Sequence, residues 1–204
     1  MAGAHEQLEH AEHAEHASHS NKTIALVIAV LALFLAFSET LGKSAQTNAL
    51  NLQLESSDLW NFFQAKNIRR TLTIVATESA KIDLATAPDE TRKALIAKQI
   101  DEWTKTAARY RSEPEAAHGK GEGTTELARR AQEKEHERDL ALNKYHYYEF
   151  ASAALQIGIV LCSAAVITGM FVLVWLAGGL GIVGLALMGM GLFWPHIHLL
   201  PVAH

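Results

Sequence analysis

The residues whose types and spacing are best suited to chemistry lie near the N-terminus. His10, His13, His16 and His19 recur every three residues, and the first three each follow a glutamate. Neutral imidazole is a common ligand for zinc, copper and nickel, and histidine titrates near neutral pH. A spacing of three drifts around a helix, so these four residues specify no fixed tetrahedral site. We expect either a solvated tail or a tail that responds to a divalent metal or to pH.

The rest of the chain offers no recognisable catalytic arrangement. The sequence has no phosphate-cradling glycine loop, no nucleophile elbow and no His-Glu-x-x-His zinc motif. Its single cysteine, Cys162, lies inside an apolar run, which argues against a disulfide framework or a thiolate metal site. We therefore expect a protein that is not an enzyme and that needs no cofactor beyond a metal on the tail.

The least generic stretch runs from Ser56 to Arg70 and combines aromatic, amide and cationic side chains. Its aromatic and amide residues share one helical face, because residues three and four apart are neighbours, and its cations form a second face. This mixture indicates either a specific contact or the ordinary packing of a helical hairpin. The predicted interaction residues are Trp60, Phe63, Gln64, Asn67, Arg69 and Arg70.

Charge is distributed very unevenly along the 204 residues, of which 49% are hydrophobic and 20% charged. The segment 23–41 contains one charged residue, Glu39, and the segment 150–204 contains none. Between them, 43–149 carries equal numbers of basic and acidic residues. A nucleic-acid binder would show a clustered basic excess, so nucleic acid is not an expected partner.

These runs predict an all-α integral membrane protein with three transmembrane helices, since about 20 apolar residues span a bilayer. The lipid bilayer is thus the first expected partner. The predicted order is a His/Glu/Ala-rich tail (1–22), a first span (23–42), a polar helical domain (43–149), a second span (150–176), a third span (178–194) and a C-terminal tail (195–204).

The polar domain is predicted to form a long helical hairpin. No proline or glycine interrupts 43–87, so the first span should continue as one helix, unless 56–58 caps a new helix and introduces a bend. The segment 87–90 has the proline and acids of a helix start, and 112–123 reads as a loop. A coiled-coil-like seam recurs every seven residues at Leu54, Asn61, Ile68, Val75 and Ile82.

Small residues line one face of each later span. At steps of three and four they allow helices to approach closely in lipid, where packing drives association. With a turn predicted at 177–179, they indicate a tightly packed helical hairpin or a homo-oligomer interface. The predicted packing residues are Ala154, Gly158, Cys162, Ala165, Gly169, Gly181, Gly184 and Gly191.

The Ser57–Arg69 block, the Glu-His-Ala-rich N-terminus and the three spans together resemble the bacterial family called domain of unknown function 4337. The resemblance covers nearly the whole chain, and the block is its specific part. It implies a multi-pass protein of the bacterial inner membrane and supplies no activity, cofactor or catalytic residue. Lys43, Lys134, Arg138 and Lys144 outnumber Lys22 across the membrane, which favours a cytoplasmic polar domain.

Three hypotheses for function remain at this point. The first is a non-enzymatic scaffold that self-associates as a homo-oligomer or binds an unknown protein partner through its helical hairpin. The second is a subunit of an oligomeric ion channel or transporter, lined by Ser38, Glu39, Ser163 or Thr168. The third is a metal- or pH-responsive module that uses the N-terminal histidines.

Overall fold

The structure is a computed structural model that describes residues 2–116 and 119–197, with side chains from Lys22 onward in those ranges. Within them the chain forms four α-helices and no strand: α1 (Ala2–Thr86), α2 (Glu90–Arg111), α3 (Thr124–Thr168) and α4 (Phe171–Phe193). The all-α prediction is confirmed.

Helix α1 is one uninterrupted helix from the N-terminal tail to Thr86, with no bend into a new helix at 56–58. The predicted hairpin is wrong for the polar segment. The segment 43–149 contains the end of α1, all of α2 and the beginning of α3. The end of α1 lies next to Pro88, inside the predicted helix start at 87–90, because proline cannot extend a preceding helix without losing a backbone hydrogen bond.

Helix α2 begins where the sequence predicts a helix start. Asp89 is its N-cap and accepts a 2.8 Å hydrogen bond from the backbone N–H of Arg92. Glu90 adds a negative charge in the first turn, next to the positive end of the helix dipole. The following loop, 112–123, joins α2 to α3 as predicted, and Gly121 adopts a left-handed φ of 76° within it.

In the part of the chain that the structure describes, three helices are long and apolar enough to cross a membrane: Lys22–Thr86, Thr124–Thr168 and Phe171–Phe193. The predicted bounds of the second and third spans need correction. Helix α3 ends at Thr168, Gly169 takes a φ of 69°, and α4 already begins at Phe171. The predicted turn at 177–179 lies inside α4, because apolar helices tolerate glycine in their interior.

The chain divides into two compact units, which we call the apolar unit and the polar unit. The apolar unit comprises Met1–Ala49 and Asp139–His204, and the polar unit comprises Leu50–Arg138. The apolar unit packs α1, α3 and α4 around a buried cluster of Ile24, Leu31, Leu155, Cys162 and Ala177. The polar unit packs α1 on α3 through buried residues that include Leu52, Ser56, Leu127 and Ala131.

Candidate functional site

The face of α1 that packs inside each unit follows a seven-residue register. Its buried positions are Ile24, Leu31 and Ser38 in the apolar unit and Leu52, Lys66 and Ala80 in the polar unit. The seam predicted from the sequence has the same period but lies two residues further along the chain. Two residues correspond to about 200° on a helix, so that seam lies on the opposite, outward face.

Serine hydroxyls make contacts between helices that side-chain hydropathy does not reveal. Ser38 Oγ donates a 2.9 Å hydrogen bond to the carbonyl oxygen of Tyr148 in the apolar unit. Ser56 Oγ donates a 3.3 Å hydrogen bond to the carbonyl oxygen of Ala131 in the polar unit. Both serines are buried, so each bond satisfies a hydroxyl that would otherwise be costly to bury. Ser38 lies in the packed seven-residue register of α1, and Ser56 lies one turn after Leu52 of that register.

Trp60 lies next to Ser56 and also contacts α3. Its indole Nε1 donates a 2.8 Å hydrogen bond to Glu135 Oε1, and the Trp60 ring meets Phe63 edge to face with centroids 5.4 Å apart. Both aromatic side chains are half-buried within the polar unit. The aromatic part of the predicted interaction surface therefore makes contacts inside the chain.

Lys66 is a charged residue buried in the polar unit, with only 7% of its surface exposed. Its Nζ lies 3.7 Å from Glu113 Oε2 and 3.5 Å from Glu122 Oε2, and 5.2 Å from the centre of the Phe62 ring. The two carboxylates come from opposite ends of the 112–123 loop. Because a buried charge needs compensating partners, Lys66 joins this loop to α1.

Glu126, in the first turn of α3, also binds the 112–123 loop. Its carboxylate accepts hydrogen bonds from Ser112 Oγ at 2.5 Å and from the backbone N–H of Glu113 at 3.3 Å. The Ser112 hydroxyl, which donates to the charged form, lowers the pKa of Glu126 below its ordinary value. Arg130 Nη1 also donates to the carbonyl oxygen of Gly121 at 3.1 Å. The loop is thus held by ionic and polar contacts.

The remaining predicted interaction residues are spread over the surface. Gln64 and Arg69 are exposed, whereas Asn67 and Arg70 are half-buried. The six predicted residues therefore do not form one surface: two make the internal aromatic contact, two are exposed and two are half-buried.

A row of large aliphatic side chains runs along the exposed face of α1 in the polar unit, and we call it the outer stripe. All are more than half exposed, and four of them belong to the predicted seven-residue seam. The outer stripe consists of Leu50 (60% exposed), Leu54 (64%), Ile68 (61%), Leu72 (64%), Val75 (61%) and Ile82 (69%). Asn61, the polar member of the seam, is also exposed.

The small residues predicted to pack in the membrane mostly meet other helices of the same chain. A Cβ on Gly158 would lie 3.3 Å from the carbonyl oxygen of Ala177, and one on Gly184 would lie 2.9 Å from Leu155 Cγ. A Cβ on Gly181 would approach Leu31. The other members that the structure buries are Ala154, Cys162, Ala165 and Gly191.

Gly169 is an exception among the predicted packing residues. It lies between α3 and α4 with a positive φ, and a Cβ there would meet no atom within 4 Å. Its role is to end α3, because a left-handed residue stops a helix with little strain when it is glycine.

Ser163, Thr168 and Glu39, the polar side chains considered as a channel lining, differ in whether they bond within their own helix or to another helix. Ser163 and Thr168 donate to the carbonyl oxygens of Ile159 and Ala164 in their own helix. Glu39, by contrast, accepts a hydrogen bond from Gln156 Nε2 on α3 at 3.4 Å, and both residues are exposed.

No group of three or more His, Cys, Asp or Glu residues within the described side chains is arranged to hold a metal ion. The predicted metal ligands His10, His13, His16 and His19 lie outside those side chains.

An open groove of about 370 Å³ in the polar unit is lined by charges of both signs. Lys134 lies within it, 3.2 Å from Glu55 and 2.9 Å from Glu137. Its carboxylates and cations compensate each other, so the groove has no dominant charge that would select a ligand of one sign.

A family model matches most of the chain. Neither a curated protein nor a solved structure matches the chain. The model of the family described as "Domain of unknown function (DUF4337)" matches residues 20–194, which include all three candidate spans and both units' packed helices. The chain therefore belongs to the DUF4337 family.

Proposed function

We propose that the chain is a non-enzymatic membrane scaffold whose outer stripe binds a helix of another subunit. The observation that carries this proposal is the exposure of the outer stripe itself. Its aliphatic side chains recur at steps of three, four and seven, which is the spacing of a helix that packs on another helix. A seam of that kind is typical of a face that is covered in an assembly.

The internal contacts of the polar unit support this assignment. Trp60, Ser56 and Lys66 join α1 to α3 and to the 112–123 loop through directional bonds and ion pairs. These contacts pair polar side chains on the inward face of α1, and the large aliphatic residues of the outer stripe take no part in them. The outer stripe is consequently available for binding, while the helix that presents it is held in place.

We further propose that the three candidate spans anchor the scaffold in the bacterial inner membrane, with the polar unit in the cytoplasm. Lys43, Lys134, Arg138 and Lys144 support this orientation through the positive-inside rule. Labelling of a Leu95→Cys variant with a membrane-impermeant maleimide tests it, since Leu95 is 65% exposed on α2. We expect labelling only after cell lysis. Labelling of intact spheroplasts would show that the polar unit lies on the opposite side of the membrane.

Photocrosslinking tests the binding role of the outer stripe. A Cys162→Ala background removes the one native thiol, and Ile68→Cys or Val75→Cys then carries a benzophenone group in native membranes. Leu95→Cys is the matched control, because Leu95 is as exposed as Ile68 but lies on α2. We expect discrete adducts from the two stripe positions and none from Leu95.

The mass of an adduct identifies its partner as a second copy of the chain or as another protein. Equal, diffuse labelling from Ile68, Val75 and Leu95 would contradict the scaffold proposal.

A further inference from the structure

Glu39 is the only acidic residue in the apolar part of α1, and its surroundings are unusual for a carboxyl group. In an α-helix the Cα–Cβ bond tilts toward the N-terminus. The N-terminal side of Glu39 is the apolar run 23–38, so its Cα–Cβ bond tilts toward that run and away from Lys43. It meets Gln156, which lies six residues inside the apolar segment of α3 that begins at Phe150.

The Glu39–Gln156 contact leaves hydrogen-bonding capacity on both side chains. The distance of 3.4 Å is longer than the roughly 2.7–3.2 Å of a typical N–H···O bond. A carboxylate offers about four lone-pair sites, and a glutamine amide offers two donors as well as an acceptor. Both residues are exposed on the outside of the apolar unit. Where lipid tails rather than water surround these side chains, a further hydrogen-bond partner has to come from protein.

The two side chains complement a second copy of themselves. An acceptor-rich carboxyl and a donating amide lie side by side on one surface. A twofold rotation of that surface brings the carboxyl of each copy opposite the amide of the other, as in an isologous interface. Lipid tails offer neither a donor nor an acceptor, so they leave the pair incompletely bonded.

The surface around Glu39 also permits a close approach of helices. On the N-terminal side of Glu39, one exposed row of α1 carries alanines at helical spacing, next to a second exposed row that carries Leu26, Val30, Leu33 and Phe37. Ala153 lies beside Gln156 on α3. Small side chains let helix backbones come near enough for short polar side chains to bond across the interface. These alanines are Ala25, Ala29, Ala32 and Ala36.

We propose that a second copy of the chain packs against this surface within the membrane, with Glu39 of each copy accepting a hydrogen bond from Gln156 of the other. The proposal names a partner and a surface different from the outer stripe. It rests on the proposed function only in treating the chain as a multi-pass membrane protein.

Disulfide crosslinking tests the proposal in the full chain reconstituted in nanodiscs or kept in native membranes. In the Cys162→Ala background, Ala36→Cys places a thiol one turn from Glu39 while keeping both polar residues. Ile182→Cys is the control, because Ile182 is 71% exposed on α4. We expect oxidation to give a dimer from Ala36→Cys and at least tenfold less from Ile182→Cys.

Variants of Glu39 separate the hydrogen bond from general packing. Glu39→Leu in the Ala36→Cys protein is expected to reduce the dimer at least fivefold, whereas Glu39→Gln, which still bonds an amide, retains most of it. Circular dichroism and the melting temperature of each variant verify that the fold is intact.

Crosslinking that is equal at Ala36 and Ile182, or unchanged by Glu39→Leu in a folded protein, would overturn the proposal. So would a heavier adduct that contains a different protein. These results are independent of the benzophenone experiment on Ile68, so a failure of the membrane contact can be distinguished from a failure of the scaffold role.

Discussion

Trp60 Nε1 donates its hydrogen bond to Glu135 Oε1 across 2.8 Å, and this bond joins α1 to α3 between residues 75 positions apart in the sequence. The indole N–H is a donor with no alternative role, and its partner is a carboxylate. Charge-assisted bonds of this type are stronger than bonds between neutral groups. The contact is therefore a specific connection between the two helices.

Trp60→Phe keeps an aromatic ring against Phe63 and removes the N–H donor together with part of the indole ring. We expect it to lower the free energy of unfolding by about 1–2 kcal/mol, the usual contribution of a hydrogen bond to a charged group at a half-buried site. Thermal or denaturant unfolding of the protein in nanodiscs measures the change.

A double-mutant cycle with Glu135→Leu, which removes the acceptor, isolates the Trp60 bond. The two substitutions should be non-additive by about 1 kcal/mol, because the second removes an interaction that the first has already lost. Strict additivity would show that the 2.8 Å contact contributes little to stability.

A second prediction compares the stability lost on removing the two carboxylate partners of Lys66 with the stability lost on removing Lys66 itself. Glu113→Ala combined with Glu122→Ala leaves a buried ammonium without compensation, and we expect a loss of about 2 kcal/mol or more. Lys66→Met removes the charge but keeps the length of the side chain. The two glutamates are each about a third exposed, so they can turn to water, and we expect a loss of about 1 kcal/mol or less.

Unfolding midpoints of the three proteins measure this difference. If Lys66→Met proved more damaging than removal of both glutamates, the ion pairs rather than the burial of the charge would dominate the site.

Local chemistry explains which parts of the fold could be predicted from the sequence. The helix start at 87–90 and the 112–123 loop follow from residues at the positions themselves, and the structure has both, with Asp89 as the N-cap of α2. The three apolar runs likewise predict three candidate spans because length and composition are sufficient for that inference.

The packed face of α1 could not be predicted in this way. Hydropathy selects the face of Leu54, Ile68 and Val75, yet the face that packs inside the polar unit carries Ser56 and Lys66. Those polar residues are buried because of partners that are distant in sequence, such as the Ala131 carbonyl and the carboxylate of Glu122. A single sequence does not show that such a partner is present.

The pKa of Glu126 predicts a pH dependence of the 112–123 loop. Because its pKa is lower in the folded protein than its ordinary value of 4.5, its contribution to stability is present above that pH. The contribution is lost as the pH falls through and below about 4.5 and the carboxylate becomes protonated. Hydrogen exchange of the Glu113 amide, which donates to Glu126, should accelerate relative to its intrinsic rate in this range.

Glu126→Gln supplies the control for the loop, since the amide oxygen still accepts hydrogen bonds but does not titrate. We expect weaker protection of the Glu113 amide at neutral pH and a smaller change on acidification. An identical acid response in both proteins would assign the effect to other carboxylates of the loop.

Two glycines of α4 provide matched tests of close packing in the apolar unit. A Cβ on Gly184 would lie 2.9 Å from Leu155 Cγ and 3.2 Å from the carbonyl oxygen of Ala151, whereas one on Gly179 would meet nothing within 4 Å. The carbonyl oxygen belongs to the backbone of α3, which cannot shift without moving the whole helix. Gly184→Ala should therefore lower the free energy of unfolding by about 1–3 kcal/mol, the usual cost of overpacking.

Gly179→Ala makes the same chemical change on the same helix without that neighbour. Alanine favours a helix over glycine by up to about 1 kcal/mol, so this variant should be neutral or slightly more stable. Melting temperatures measured side by side in nanodiscs give the comparison, and the difference between the variants isolates the contact with α3 from helix propensity. If Gly184→Ala were as stable as Gly179→Ala, α3 and α4 would lie further apart in the bilayer than their packing at Gly184 requires.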